Sequence, residues 1–122
     1  MSSGDGVELD ASWLAQMRKG VLEMCILAAL GGEELYGYAL VERLSTIPGL
    51  AITESTVYPL LARLARVGLL TSRLAASPNG PSRRYYRLSA AGTRRLHELR
   101  QAWTTVTQGV GELLTAVDGR KS

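Results

Sequence analysis

Nine arginines and a single acid, Glu98, stand between residues 63 and 100, a balance of 9 − 1 = +8. Residues 1–62 hold three basic and eight acidic side chains, 3 − 8 = −5, and residues 101–122 hold two of each. The formal total of +3 therefore hides a dipolar chain. Guanidinium groups stay charged at any physiological pH and present a planar fork of donors. Gathered in one segment, they suit the phosphate backbone of a duplex. Bond-making chemistry is much harder to assemble. With one His, His97, and one Cys, Cys25, no metal-ligating cluster and no nucleophile–base pair can be read, and no glycine-rich phosphate loop is present. The expectation is no enzyme, no metal and no cofactor. His97 reads as a surface side chain, and Cys25, inside the apolar run Met24–Leu30, as a small buried hydrophobe.

The elements that must position these arginines follow from pattern and punctuation. At 122 residues and 46% hydrophobic content the chain suits one folded domain. Residues 1–11 are polar and acidic and read as a loose tail, not as a secretory signal or transit peptide. No apolar run is long enough to span a membrane. With the lone Cys, these features suggest the cytoplasm. Ser12 can cap a first helix reaching Leu30, with Leu14, Met17, Val21, Cys25 and Ala28 at helical spacing and Val21–Leu30 apolar nearly all round. Leu35–Leu44 reads as a short second helix with Leu40, Val41 and Leu44 inward. Thr53 and Glu54 make a start signal for a third helix to about Val67, with Val57, Leu60, Leu61 and Leu64 as its inner stripe. Pro59 interrupts it, and the alternative is a start at Pro59. Leu70–Leu74 alternates as a half-buried strand, Ser77–Ser82 is turn chemistry, and Tyr85–Leu88 is the returning strand.

Ser89 caps a last helix of about Ala90 to Val117. Along it Leu96, Leu99, Trp103, Val106, Val110, Leu113 and Val117 step by 3, 4, 3, 4, 3 and 4. That seam, sustained over three heptads, favours a homodimer, although part of it must pack on its own domain. Gly109 and Gly111 either allow close backbone approach or fray the end. The expected fold class is mainly α with a two-stranded β-wing (α+β), ending in a long helix.

The residues also resemble the PadR-like family of transcriptional regulators. The likeness runs from Arg18 to Leu99 and more loosely beyond. It is carried by Gly20–Leu30, Tyr36-Gly37-Tyr38, Thr56–Leu64 with Gly68–Leu70, Gly80-Pro81, Arg83–Tyr86, Leu88-Ser89 and Gly92. The short length is similar to the subgroup whose C-terminal part is a single helix. Arg66 stands where the family often has an acid, and Ser89 where Thr is usual.

The resemblance implies a dimeric winged helix-turn-helix protein, often a repressor and sometimes released by a small molecule. It places a DNA-binding domain over 12–88 and a dimerisation helix with a short tail over 89–122. In a helix-turn-helix the second helix of the motif enters the major groove with its N-terminal residues at the base edges. Here these are Thr53, Ser55, Thr56 and Tyr58, with Arg63 and Arg66 further along. Tyr58 reads equally as a helix-packing ring, and the two arginines as a solvated face. The wing, Ser77–Arg84, offers Asn79 and Gly80 at its tip and Arg83 and Arg84 at its base. One of these arginines should reach DNA while the other points back to an acid. Arg18, Lys19 and Tyr36 are further backbone candidates, and Tyr36 and Tyr38 suit core packing equally. The expected partner is a double-stranded operator with inverted symmetry. Trp103 matches a place in the last helix where the multidrug-binding branch of the family stacks planar drugs between subunits. A planar aromatic effector between two Trp103 rings, walled by Trp13, Leu14 and Met17, is set against a closed Trp–Trp contact. The competing functions are a winged-helix module for protein partners and a ligand-binding dimer with incidental DNA binding.

Overall fold

Three side chains of the first helix, Leu22, Ile26 and Leu27, with Leu30 just past its end, decide where the other elements go, because all four are buried. The computed structural model describes residues 11–121; the expected tail over 1–11 lies almost wholly outside them. Helix α1 spans Ala11–Ala29, α2 (Gly37–Leu44) packs against it, and α3 (Glu54–Arg66) packs against α2. The shared core adds Leu40, Val41 and Leu44 from α2, Val57, Leu61 and Leu64 from α3, and Leu70. This corrects the expected inner face of α1. Val21 and Cys25 are only half-buried, and Met17 and Ala28 are exposed. Where a helix is apolar all round, as over Val21–Leu30, spacing alone does not say which stripe faces the core.

The start of α3 is where the sequence placed it, and Pro59 lies inside the helix. The Thr53 backbone N–H donates to Thr56 Oγ1 at 3.4 Å, and Thr56 Oγ1 donates to the Thr53 carbonyl at 2.8 Å. At the other end Gly68 takes φ +86°. The Leu69 N–H reaches the Leu64 carbonyl at 2.9 Å and the Gly68 N–H the Ala65 carbonyl at 3.1 Å. These two bonds satisfy the last carbonyls of the helix in the pattern that a left-handed glycine allows.

Two strands follow, β2 (Leu70–Ser77) and β3 (Gly80–Leu88), joined by Pro78-Asn79 alone because Ser77 already pairs with Gly80. The hairpin is longer and its turn tighter than expected. A further two-residue strand, β1 (Leu35–Tyr36), pairs antiparallel with Tyr85–Tyr86 to give the order β1, β3, β2. Leu35 and Tyr36 were expected in the second helix, which instead begins at Gly37. The hairpin stands largely free: Leu74, expected to be half-buried, is 61% exposed because no layer lies beneath it.

Helix α4 (Ala90–Lys121) passes through Gly109 and Gly111 without a break. Its base is fixed to the end of α3. Ser89 Oγ donates to the Gly68 carbonyl at 2.7 Å and accepts from the Gly92 N–H at 3.0 Å, while the Ser89 N–H donates to the Leu69 carbonyl at 3.1 Å. Leu96 and Leu99 pack on the core, and the rest of the seam, Trp103 to Val117, is exposed in the single chain. Three helices, a hairpin and a projecting C-terminal helix make a winged helix-turn-helix fold. Among the described residues no helix is long and apolar enough to cross a membrane.

Candidate nucleic-acid interface

The N-terminus of α3 carries an exposed cluster of hydroxyls. Thr53 Oγ1 lies 3.0 Å from Ser55 Oγ and 3.3 Å from Thr56 Oγ1. Unpaired backbone N–H groups and the helix dipole make such an end favourable for an anion. Thr56 has a structural duty as well, since its hydroxyl bonds the Thr53 backbone.

One turn on, the Tyr58 ring lies against Gly37. A Cβ built at Gly37 would come within 2.5 Å of Tyr58 Cε1, so only glycine lets the ring settle at the start of α2. Partial burial, and then the nearby Glu54 carboxylate, push the Tyr58 hydroxyl above its usual range. Both readings of Tyr58 meet here: the ring packs between helices, yet it remains 39% exposed.

Strand β3 completes a cleft. Tyr36, Gly37 and Tyr38, Tyr58 from α3, and Arg83, Arg84 and Tyr86 from β3 line about 300 Å³ of open space. Alternation along β3 sends Arg83 and Arg84 to opposite faces. Arg83 lies over the Tyr36 ring at 4.2 Å, and that ring tilts against Tyr85 at 5.6 Å. Arg84 donates to Ser72 Oγ at 3.0 Å. Among the described residues neither wing arginine pairs with an acid, contrary to the expected division of labour. The acid-bound arginine of the hairpin is Arg73, cross-strand from Tyr85, which grips Glu34 through two bonds of 2.8 and 2.7 Å. Its guanidinium holds the Glu34 carboxyl below the usual range. Asn79 and Gly80 are exposed at the tip.

Arg63 turns toward α1, where Glu23 Oε1 lies 3.5 Å from its Nη2; the other oxygen of Glu23 accepts from Arg95 Nε of α4 at 3.1 Å. Arg18 donates from Nε to the Gly49 carbonyl at 3.0 Å. Arg18 and Lys19 thus sit across a groove from Arg63 and Arg66, apart from the cleft at the wing. Trp103 is 47% exposed on α4, Trp13 and Met17 are exposed on α1, and Leu14 is half-buried. Sequence reasoning missed Glu23 and Arg73. The signal for Glu23 was present, because it is the one acid in α1.

The comparisons with known proteins agree with this fold. The model of the transcriptional regulator PadR-like family matches residues 26–98, more than half of the chain. A PadR-like transcriptional regulator from Bacillus cereus is 41% identical, with a TM-score of 0.73 over 81% of this chain and 96% of that one. A PadR family regulator from Eggerthella lenta is 39% identical, with a TM-score of 0.74 over 85% and 90%. Bacillus subtilis PadR, solved in complex with operator DNA, is 28% identical, with a TM-score of 0.59 over 65% of this chain and 45% of that one.

Proposed function

We propose that this chain, which belongs to the PadR-like family of transcriptional regulators, is a homodimeric repressor that reads a two-fold related operator. Residues 12–88 form the DNA-binding domain and 89–122 the dimerisation helix. The convergence of the α3 ring Tyr58 with Arg83 and Arg84 of the wing carries this reading. Two cations without a carboxylate partner flank a helix end rich in hydroxyls, which is the chemistry that binds phosphates and base edges. Thr53, Ser55, Thr56 and Tyr58 enter the major groove with α3, Arg63 and Arg66 follow, and Asn79, Gly80, Arg83 and Arg84 track the flanking backbone. Arg18, Lys19 and Tyr36 add phosphate contacts. Support for DNA as the partner comes from the relative solved on its operator.

The dimer reading rests on Trp103, Val106, Val110, Leu113 and Val117, an apolar stripe left exposed on a single chain. A planar aromatic effector seated between paired Trp103 rings, with Trp13, Leu14 and Met17 as walls, would release the operator. Footprinting on the DNA upstream of the protein's own gene tests the reading. Two protected half-sites in inverted repeat, one helical turn apart or a multiple of it, are expected. A footprint without inverted symmetry refutes the dimeric reader.

A further inference from the structure

A second opening lies between α1, the loop before α3, and α3 itself. It encloses about 610 Å³, within the range of small-molecule sites. Its floor is aliphatic, built from Leu22, Ile52 and Leu60 with Leu50 and Pro59 beside them. Its rim carries four cations, Arg18, Lys19, Arg63 and Arg66, and no acid among the described residues lines it. Lys19 and Arg66 have no hydrogen-bond or ion-pair partner among the described residues. The loop wall holds Ala51 at φ 51°, a left-handed conformation that a residue with a side chain adopts at a cost, and Arg18 braces it through the Gly49 carbonyl. DNA phosphates would use the rim but have no use for the floor.

Rim and floor together fit one kind of molecule. We propose that this groove binds an amphipathic organic anion, a carboxylate on an aliphatic body such as a medium-chain fatty acid. The carboxylate meets Lys19 and Arg66, and the chain covers Leu22, Ile52 and Leu60. The floor has no aromatic ring, so the body it favours is aliphatic and not planar. Thr56, Arg63 and Arg66 line the groove and are also assigned to the operator, so bound anion and duplex compete. The competition rests on the DNA-binding reading above; the binding does not.

Calorimetric titration of the full chain with decanoate, below its micelle concentration and without DNA, tests the site. Saturable binding is expected, with decanol, which lacks the charge, and acetate, which lacks the body, each weaker by about tenfold or more. Ala15→Glu places a carboxylate three and four residues before Arg18 and Lys19 on an exposed turn, a spacing that favours the helix. It should weaken decanoate by about tenfold or more while Ala15→Gln leaves it within a factor of about two. Thermal melts confirm that both fold. Equal binding of decanol, unchanged binding to Ala15→Glu, or heat that vanishes in Trp103→Ala would each overturn the groove. In fluorescence anisotropy, decanoate should raise the protein concentration needed to half-saturate a labelled operator, and do so less in Ala15→Glu. Simultaneous binding with no mutual effect refutes the competition. Absence of any DNA binding refutes the operator reading and the competition together, and leaves the calorimetric result to stand alone.

Discussion

Gly92 is the position where one added methyl group should do most harm. A Cβ built there lies 2.0 Å from the Leu69 carbonyl oxygen, where real contacts do not come under 3.0 Å, so the start of α4 must retreat by 3.0 − 2.0 = 1.0 Å. The obstacle is backbone and cannot swing away. The retreat pulls on two bonds that now measure 2.7 and 3.1 Å, from Ser89 Oγ to the Gly68 carbonyl and from the Ser89 N–H to the Leu69 carbonyl. An extra ångström takes each beyond the range in which a hydrogen bond counts. Losing these two bonds costs about 1 kcal/mol each, and the overpacking about 1–3 kcal/mol. Replacing a helical glycine returns up to about 1 kcal/mol, so Gly92→Ala should destabilise by roughly 2–4 kcal/mol. For a chain of this size the melting temperature should fall by roughly 10–20 °C. Gly20→Ala in α1 is the matched control, since nothing lies within 4 Å of its added Cβ. That change should stabilise by about 0.5–1 kcal/mol. Circular dichroism melts at one fixed protein concentration compare the two. If Gly92→Ala melts at or above the wild type, the account of how α4 is seated is wrong.

Three further outcomes are expected. Arg83→Ala and Arg84→Ala should each weaken binding to all duplexes and lower the salt slope by about one unit with little effect on folding; wild-type slopes in both would remove the wing from the interface. Thr56→Ala should cost about 1–3 kcal/mol at the cognate site and also lower the melting temperature, because its hydroxyl closes the start of α3. Thr56→Ser, which keeps that hydroxyl, should restore the melt, and a Thr56→Ala melt equal to wild type would deny the structural duty. Partial burial raises the Cys25 thiol above its ordinary range; its reaction with a disulfide reagent at neutral pH should be slower than that of a free thiol and should speed up as pH rises through the raised value, and a rate equal to that of free cysteine would contradict this.

The start of α3 was legible because capping is local: Thr53 and Thr56 are three residues apart and their chemistry needs no distant partner. The long last helix with its apolar stripe was legible for the same reason, as pure spacing. What stayed hidden depends on partners far along the chain. Leu35 and Tyr36 form a strand because Tyr85 and Tyr86 come alongside, fifty residues later. Nothing in the pattern Leu35–Leu44, which suits a helix throughout, announces that. Arg73 reads as one more wing cation until Glu34, thirty-nine residues back, is brought to it. Leu74 alternates like a buried residue, but alternation records only which face a side chain takes, not whether another layer covers it. In α1 the run Val21–Leu30 is apolar nearly all round, and which side turns inward was decided by the elements packed on it, α2 and α4.

Glu23 is held twice, by Arg63 of α3 and Arg95 of α4, and its side chain keeps only 20% of its exposure. A carboxylate so withdrawn from water is costly to leave alone. Two holders make it tolerant of losing one. If Arg63 swings toward an arriving phosphate, Arg95 still neutralises the acid, so the move exchanges one ionic partner for another and strands no charge. Arg63 is in this sense shared between the protein's interior and its ligand, and committed to neither. In a chain without Arg95 that freedom would end: Arg63 would become the acid's sole companion, and α3 would surrender a cation to keep α1 neutral.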